Sequence, residues 1–161
     1  MKRLRYVNGG IDEIDAGILS ALIEDGRIAM KDLALAVGLS APSVAERVRR
    51  LEEAGIIQGY GAKIDPQALG FSLAAYIRVQ PLPGEVQRVG DLLAARPEVI
   101  ECDRVTGDDC YIAKAVIASV RELTQLIDEL SPFAKTNSSI INASPVRRRM
   151  PPIRPMDRQS S

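Results

Sequence analysis

The sequence predicts an α+β protein with a helical N-terminal part and a C-terminal part in which a β-sheet packs against helices. Apolar residues recur at helical spacing up to about residue 55, and a glycine-rich stretch follows them. From Leu73 onward, short runs rich in β-branched residues alternate with helical patterns. The 161 residues are enough for two small domains, because domains of about 50–150 residues are common. The expected segments are a flexible arm at 1–10, a first domain at 11–65, a hinge at 66–72, a second domain at 73–147 and a disordered tail at 148–161.

Three helices are expected in the first domain. The first has acidic residues in its first turn, where they favour the helix dipole, and ends at Asp25-Gly26. Its apolar residues at helical spacing are Ile11, Ile14, Ile18, Leu19 and Leu22. The second helix runs from about Met30 to Val37, Gly38 turns the chain, and Ser40 is placed as the N-cap of the third helix. A short glycine turn between two helices is typical of a helix-turn-helix.

The third helix has a face that is suited to DNA. Val44, Val48 and Leu51 recur at i, i+4 and i+7 and are expected to point inward, so Ser43, Glu46, Arg47 and Arg50 are expected to point outward. A recognition helix presents such a face to the major groove near its N-terminal half. The candidate DNA-binding residues are Ser40, Pro42, Ser43, Glu46, Arg47, Arg49 and Arg50. The alternative is a surface helix with ion pairs such as Glu46 with Arg50, since helix-turn-helix shapes also occur in bundles that bind no DNA.

An extended linker is expected between the two domains. The stretch IIQGYGAKID has apolar, β-branched and aromatic residues separated by glycines, which is typical of extended chain. Asp65-Pro66 then opens a helical turn that Gly70 closes.

The second domain has the predicted order strand, helix, strand, strand, helix, strand. The strands are expected at LAAYIRVQ, at VIECDRV, at CYIAKAVI and at residues 136–146. One helix ends before Pro97, and Ser119 caps the other. This order is the split βαβ, or ferredoxin-like βαββαβ, arrangement. Its helices cover one face of the sheet, and alternate apolar residues expected on the open face indicate a second subunit.

The composition excludes several kinds of chemistry. The chain has no histidine, so it has no Ser-His or Cys-His nucleophile pair and no imidazole metal ligand, and no metal or cofactor is expected. Cys102 and Cys110 do not make a disulfide framework, and a reducing cytoplasm is the expected location. No apolar run approaches the roughly 20 residues of a membrane span, and no signal peptide is expected. A small-molecule enzyme stays open as an alternative, because fold does not decide function.

Charge is unevenly distributed along a chain whose formal net charge is zero. Residues 1–65 contain nine basic and ten acidic residues, residues 66–145 contain seven and ten, and residues 146–161 contain five and one. Nucleic acid responds to the local field, so the neutral total does not exclude DNA binding. The end of the chain, MPPIRPMDRQSS, is rich in proline and polar residues and is expected to be disordered, although it could also contact phosphates.

The turn Thr106-Gly107-Asp108-Asp109 has groups that could bind a small zwitterion. A free amino acid carries an ammonium and a carboxylate, so it requires an acid beside unpaired backbone N–H groups. A Gly-Asp-Asp turn can offer both. The alternative is a hairpin turn whose glycine and aspartate serve only the backbone.

Several motifs together resemble the Lrp/AsnC, or feast/famine, transcription regulators. The stretches are IDEIDAGIL, EDGRIAMKDLALAVGLS, ERVRRLEEAGIIQGY and the Thr106-Gly107-Asp108 turn, in the order and spacing of that family. The resemblance covers about residues 11–146. It implies an N-terminal winged helix-turn-helix that binds double-stranded DNA and a C-terminal ferredoxin-like domain that dimerises and assembles into octamers or larger oligomers. Small effectors, usually amino acids, bind between dimers in such proteins.

The resemblance also implies specific site residues. By this resemblance, residues 30–50 are the DNA-binding motif, and Ser43, Arg47 and Arg50 are its main contacts. The effector pocket forms around the 106–111 turn and is completed by residues 136–139 of a neighbouring chain. Its candidate residues are Thr106, Gly107, Asp108, Asp109, Cys110, Thr136, Ser138 and Ser139. Family members often have an aromatic residue and then an acid after Gly-Asp, whereas this chain has Asp109 and Cys110, which leaves the identity of the effector open. The alternative function is a ferredoxin-like amino-acid sensor or a small-molecule enzyme without DNA binding.

Overall fold

The computed structural model describes residues 10–107 and 109–155. The arm expected at 1–10 and the last part of the tail, residues 156–161, therefore lie almost entirely outside the described residues. The chain divides into two compact units, one formed by the described residues of Met1–Ala62 and Arg148–Ser161 and the other by those of Lys63–Arg147. The segment after residue 147 thus belongs to the helical unit, and the division between the units falls between residues 62 and 63.

The first unit contains the expected helices α1 (Glu13–Glu24), α2 (Met30–Val37) and α3 (Ala41–Glu53). Asp12 caps α1 by accepting the Asp15 amide at 2.7 Å. Gly38 ends α2 in the left-handed conformation, with φ of 68°, which allows the tight turn into α3. Apolar side chains from all three helices form the core, and those with no exposed surface are Ile18, Leu33, Val44 and Leu51. The predicted helix-turn-helix is confirmed.

The linker contains one short helical element. Residues 58–65 form neither a helix nor a paired strand, which is compatible with the linker expected there. Asp65 then accepts the Gln67 amide at 3.0 Å and starts a 3₁₀ helix, Pro66–Leu69. Gly70 ends it with φ of 92°. The helical turn predicted from Asp65-Pro66 and Gly70 is therefore confirmed.

The second unit is a four-stranded antiparallel sheet with two helices on one face. Its elements are β1 (Leu73–Pro81), α4 (Val86–Ala94), β2 (Val99–Arg104), β3 (Tyr111–Ile117), α5 (Val120–Leu130) and β4 (Ala134–Ile140). The strand order β2-β3-β1-β4 with two crossover helices is the ferredoxin-like arrangement. Ile77, Leu93, Ile117 and Leu130 are almost completely buried between the helices and the sheet. The predicted α+β fold is confirmed.

The strand boundaries differ from the prediction in all four strands. Strand β1 ends at Pro81 rather than at Gln80, and β2 ends at Arg104 rather than at Val105. The third strand starts at Tyr111 and not at Cys110, because Cys110 adopts a left-handed backbone, with φ of 56°, that cannot continue a strand. The last strand spans Ala134–Ile140 rather than 136–146. Its end matches the last paired position on β1, where Ala75 faces Ile140 and only the Ile141 amide still donates to the Ala74 carbonyl.

The open face of the sheet is mixed rather than apolar, so the expectation of an apolar face is wrong for much of it. Strand β1 exposes Tyr76, Arg78 and Gln80 on this side. The Arg78 guanidinium donates to the Asn137 side-chain oxygen at 3.0 Å. The Lys114 ammonium lies 5.8 Å from the centre of the Tyr76 ring. Polar partners therefore satisfy much of this face, and exposed apolar area alone does not indicate a second subunit.

Candidate DNA-binding helix and effector turn

The N-terminal half of α3 is exposed. Pro42, Ser43 and Glu46 all lie at the surface, as do Arg49 and Arg50. The opposite side of the helix is fixed by the buried Val44, Val48 and Leu51, which share the core of the three helices. The exposed face therefore has the orientation that the sequence predicts for every candidate on α3 except Arg47.

Ser40 has a structural role at the start of α3. Its hydroxyl oxygen accepts the Ser43 amide at 3.4 Å and lies 2.8 Å from the Ser43 hydroxyl oxygen. Such a cap satisfies one of the unpaired N–H groups at the helix start. The cap thus holds the side chain of Ser43 at the exposed end of the helix.

Arg47 turns back onto α1, so the expectation that it points outward is wrong. Its Nη1 atom donates to Asp12 Oδ2 at 2.8 Å and to Asp15 Oδ1 at 2.7 Å. The Arg47 side chain is 26% exposed, and the Asp15 side chain is only 5% exposed. A nearly buried carboxylate requires a charged partner, and Arg47 supplies it. The ion pair was missed at the sequence level, although the acids in the first turn of α1 and an arginine on α3 were the available signal.

Protonation equilibria agree with this ion pair. Partial burial raises the pKa of Asp12, but hydrogen bonds from the Asp15 amide and from Arg47 outweigh the burial and lower it below its ordinary value. The hydrogen bonds to Asp12 and Asp15 raise the pKa of Arg47. The contact between α1 and α3 therefore favours the charged forms of Asp12 and Arg47.

Arg49 is paired along the surface of α3. It donates from Nε to Glu46 Oε2 at 3.0 Å and from Nη2 to Glu46 Oε1 at 2.6 Å, and it also pairs with Glu53. The hydrogen bonds from Arg49 lower the pKa of Glu46. A surface ion pair of the kind expected as an alternative thus joins Glu46 to Arg49. Because these side chains are in water, the pairs are weak and leave the arginine available to a stronger anion.

The β2–β3 turn is built around two left-handed residues. Gly107 has φ of 114°, and Cys110 is the non-glycine residue in the described chain with a positive φ. The Val105 amide donates to the Cys110 carbonyl at 2.8 Å, which closes the turn. Thr106 and Gly107 are exposed, and Asp109 and Cys110 are half-buried. Asp108 lies outside the described residues.

The β4 candidates do not lie beside this turn within one chain. Thr136 faces Val79 and Ser138 faces Ile77, on the side of the sheet that the helices cover, whereas Ser139 faces Tyr76 on the open side. Strands β3 and β4 are separated by β1, so they lie about 10 Å apart at a strand spacing of about 4.8 Å. A single chain therefore does not bring the two halves of the candidate effector site together.

Tyr111 anchors the end of the turn on α4, and sequence reasoning missed it. The Tyr111 hydroxyl donates to the Val86 carbonyl at 3.0 Å. Its oxygen would lie only 2.7 Å from a Cβ atom placed on Gly90, so α4 needs a glycine where the ring crosses it. A glycine in the middle of a helix costs about 1 kcal/mol relative to alanine, and this unfavourable choice was the available sequence signal.

The described part of the chain offers neither a metal centre nor a membrane span. No group of three or more acids, cysteines or histidines there could hold a metal ion. None of its helices is long and apolar enough to cross a membrane. Cys102 and Cys110 are both free thiols, and burial, followed by the neighbouring Asp103 charge, raises the pKa of Cys102.

Sequence comparisons match both domains to one family of proteins. Residues 11–58 match winged helix-turn-helix DNA-binding domains, and residues 74–151 match the Lrp/AsnC ligand-binding domain. The chain is 37% identical over 138 residues to the HTH-type transcriptional regulator LrpA of Mycobacterium tuberculosis, a match that covers 84% of this chain and 92% of that protein. It is 32% identical over 131 residues to the HTH-type transcriptional regulator LrpC of Bacillus subtilis, a match that covers 81% of this chain and 91% of that protein.

Solved structures share the whole fold. The structure of Bacillus subtilis LrpC matches with a TM-score of 0.80 at 31% identity and covers 85% of this chain and 98% of that one. The feast or famine regulatory protein of Mycobacterium tuberculosis, in complex with L-methionine, matches with a TM-score of 0.81 at 34% identity. This match covers 89% of this chain and 99% of that one. These relatives support DNA binding over the alternatives without it. The chain belongs to the Lrp/AsnC family and is a DNA-binding transcription regulator that responds to an effector.

Proposed function

We propose that the regulator reads DNA through the exposed face of α3, with Ser43 and Arg50 as the principal contacts. The observation that carries this proposal is the ion pair between Arg47 and the two α1 carboxylates, at 2.7 and 2.8 Å, which fixes α3 with its N-terminal half outward. A helix held in this way can enter a major groove and present side chains to base edges. Pro42, Glu46 and Arg49 flank the contacts.

Substitution of Arg50 tests this proposal. In the full chain, Arg50→Gln should lower the preference for the DNA upstream of its own gene over shuffled DNA by about 1–3 kcal/mol if the guanidinium contacts a base. Fluorescence anisotropy titrations on both duplexes measure that preference. Arg121→Gln, an exposed arginine on α5, is the matched control and should leave it unchanged. Equal preference in wild type and Arg50→Gln would remove α3 from DNA reading.

We propose that the effector is a small amino acid bound at the 106–110 turn. Asp108 is the proposed partner of its ammonium, and amides after Gly107 are proposed for its carboxylate. Neutral hydrogen bonds would come from β4 of a neighbouring chain. Within one chain, β1 lies between β4 and the two strands that the turn connects. The β4 and turn residues proposed are Thr106, Asp109, Cys110, Thr136, Ser138 and Ser139. The L-methionine complex of the Mycobacterium tuberculosis relative supports an amino acid as the class of effector.

The effector proposal predicts the behaviour of Asp108→Ala. A thermal-shift screen of the amino acids should find one that stabilises the wild-type chain by about 2.7 kcal/mol at about a hundred times its dissociation constant. Asp108→Ala should lose that stabilisation and keep the DNA affinity of the free protein. Calorimetry that gives the variant full affinity for the same amino acid would refute the site.

We also propose that the protein is a homodimer that assembles into an octamer or a larger oligomer. One helix-turn-helix reads few base pairs, so two are needed on half-sites about one helical turn or a multiple apart. An effector site shared between chains would couple assembly to DNA affinity, by about 1–3 kcal/mol in each direction. A cytoplasmic location and a function without catalysis are part of this proposal, and the transcription regulators that the chain resembles support both. Light scattering that gives a monomer at micromolar concentration would contradict the assembly.

A further inference from the structure

The segment after β4 is basic and proline-rich. Residues 148–155, here called the C-terminal arm, contain Arg148, Arg149 and Arg154 together with Pro151, Pro152 and Pro155. The match to the Lrp/AsnC ligand-binding domain ends at residue 151, within the arm. Neither the DNA-binding helix nor the effector turn accounts for these residues.

The arm is part of the helical unit. It follows the sheet unit in sequence, yet it forms one compact unit with the described residues of Met1–Ala62. It has no helix or strand. Ile153 is half-buried whereas Pro152 and Arg154 on either side are exposed, so the apolar side chain is partly covered and the arginines remain at the surface.

The arm changes the charge of that unit. Residues 1–62 contain eight basic and nine acidic residues, a net charge of −1. Residues 148–161 contain four basic and one acidic residue, a net charge of +3, so the unit as a whole carries +2. Arg148, Arg149 and Arg154 are exposed, and none of them forms an ion pair with an acid among the described residues. Their charge is therefore available to an external polyanion.

The prolines make the arm an extended element. Proline fixes φ near −65° and favours polyproline II, which rises about 3.1 Å per residue. Eight residues then span about 25 Å, the length of about seven phosphate spacings of about 3.4 Å along one DNA strand. A stiff arm also loses less conformational entropy when it is ordered on a ligand.

We propose that the C-terminal arm is a second DNA-binding element, which contacts backbone phosphates beside the α3 site through Arg148, Arg149 and Arg154. This inference rests on the proposed reading of DNA by α3. Contacts to phosphate carry no base information. The arm therefore raises affinity for every duplex by the same factor, while α3 supplies the preference among sequences.

The salt dependence of DNA binding tests the arm. The full-length triple variant Arg148→Gln, Arg149→Gln and Arg154→Gln is titrated against the upstream duplex and a shuffled duplex of equal length over a series of salt concentrations. The slope of log affinity against log salt should become shallower by about 0.9 for each phosphate that an arginine no longer neutralises, and by about 2.7 for each DNA-bound chain if all three of its arginines bind phosphates. The affinity ratio between the two duplexes should stay at the wild-type value.

A control variant that loses the same number of positive charges elsewhere separates the effect of the arm's position from the effect of the protein's total charge. The triple variant Arg104→Gln, Arg121→Gln and Lys135→Gln removes three exposed positive charges from the sheet unit, and it should keep the wild-type slope. An arm variant with the wild-type slope would overturn the inference, and so would a control whose slope becomes as shallow as that of the arm variant.

The experiments distinguish a failure of the phosphate-binding proposal for the C-terminal arm from a failure of the DNA-reading proposal for α3. A shallower slope in the arm variant, together with unchanged sequence preference in Arg50→Gln, would support the arm and refute the reading of DNA by α3. A reduced preference in Arg50→Gln with an unchanged slope in the arm variant would do the reverse.

Discussion

Replacement of Arg47 by alanine removes the cation that the Asp12 and Asp15 carboxylates share. Removal of one partner from a buried ion pair costs about 3–5 kcal/mol, because the other charge is left without compensation. The Asp15 side chain is 5% exposed, but Arg47 is 26% exposed and Asp12 is 37% exposed. Water can therefore reach part of the site, and we expect the helical unit to lose about 2 kcal/mol.

Amide hydrogen exchange of the full chain measures this loss where it occurs. A decrease of about 2 kcal/mol in the opening free energy accelerates exchange about 30-fold for amides of α1 and α3 that open together. Amides of the sheet unit should be unaffected. Arg47→Lys should recover part of the stability, because an ammonium supplies the charge without the planar fork of the guanidinium.

Arg49→Ala is the matched control on the same helix. Among the described residues, Arg49 pairs with the exposed Glu46 and Glu53 at the surface, so its removal should change exchange little. Arg47→Ala should weaken DNA binding because α3 is no longer held in position, while the salt slope stays the same. Wild-type exchange in Arg47→Ala, combined with a slope shallower by about 0.9, would refute this reasoning and make Arg47 a phosphate contact.

Two further predictions concern the pH dependence of stability at Asp12 and the packing of Gly90 against Tyr111. The pKa of Asp12 is lowered from 3.8, so the stability it contributes is present above about pH 4 and is lost as pH falls through the lower folded-state value. Asp12→Asn keeps a good N-cap and should reduce the loss of stability between neutral and acidic pH in urea denaturation followed by circular dichroism; an unchanged pH dependence would contradict this. Gly90→Ala places a Cβ atom 2.7 Å from the Tyr111 hydroxyl oxygen and should cost about 1–3 kcal/mol. Tyr111→Phe should cost about 1 kcal/mol alone but should lessen the cost of Gly90→Ala, and simple additivity in the double variant would argue against the clash.

The helices and the sheet could be predicted because their signals are local. The spacing of Val44, Val48 and Leu51 identifies the buried face of α3, and the glycine at 38 and the Ser40 cap identify its start. The alternation of strands and helices after Leu73 gives the topology, because few arrangements satisfy that order. The boundaries of β4 depend on the length of its partner β1, which is not a local property.

The orientation of Arg47 could not be predicted from helix periodicity. An arginine on the border of a buried face can point to solvent or to an acid, and only the packing of α1 against α3 brings Asp15 within 2.7 Å. The composition of the open sheet face was misjudged for a related reason. Strand alternation shows which residues share a face, but the cross-strand partners of Tyr76 and Arg78 depend on the register. The expected effector residues stay a prediction, because they require a second chain.

Site-specific photocrosslinking tests most directly whether DNA lies on α3. A photoreactive benzoyl-phenylalanine replaces Ser43, which is exposed near the start of α3, or Gln125, which is exposed on α5 of the other unit. Each full-length protein is irradiated with labelled upstream duplex, and the crosslinked fraction is measured on denaturing gels. If DNA lies on α3, position 43 gives a DNA crosslink and position 125 gives none. A crosslink from position 125 without one from position 43 would contradict that placement of the DNA.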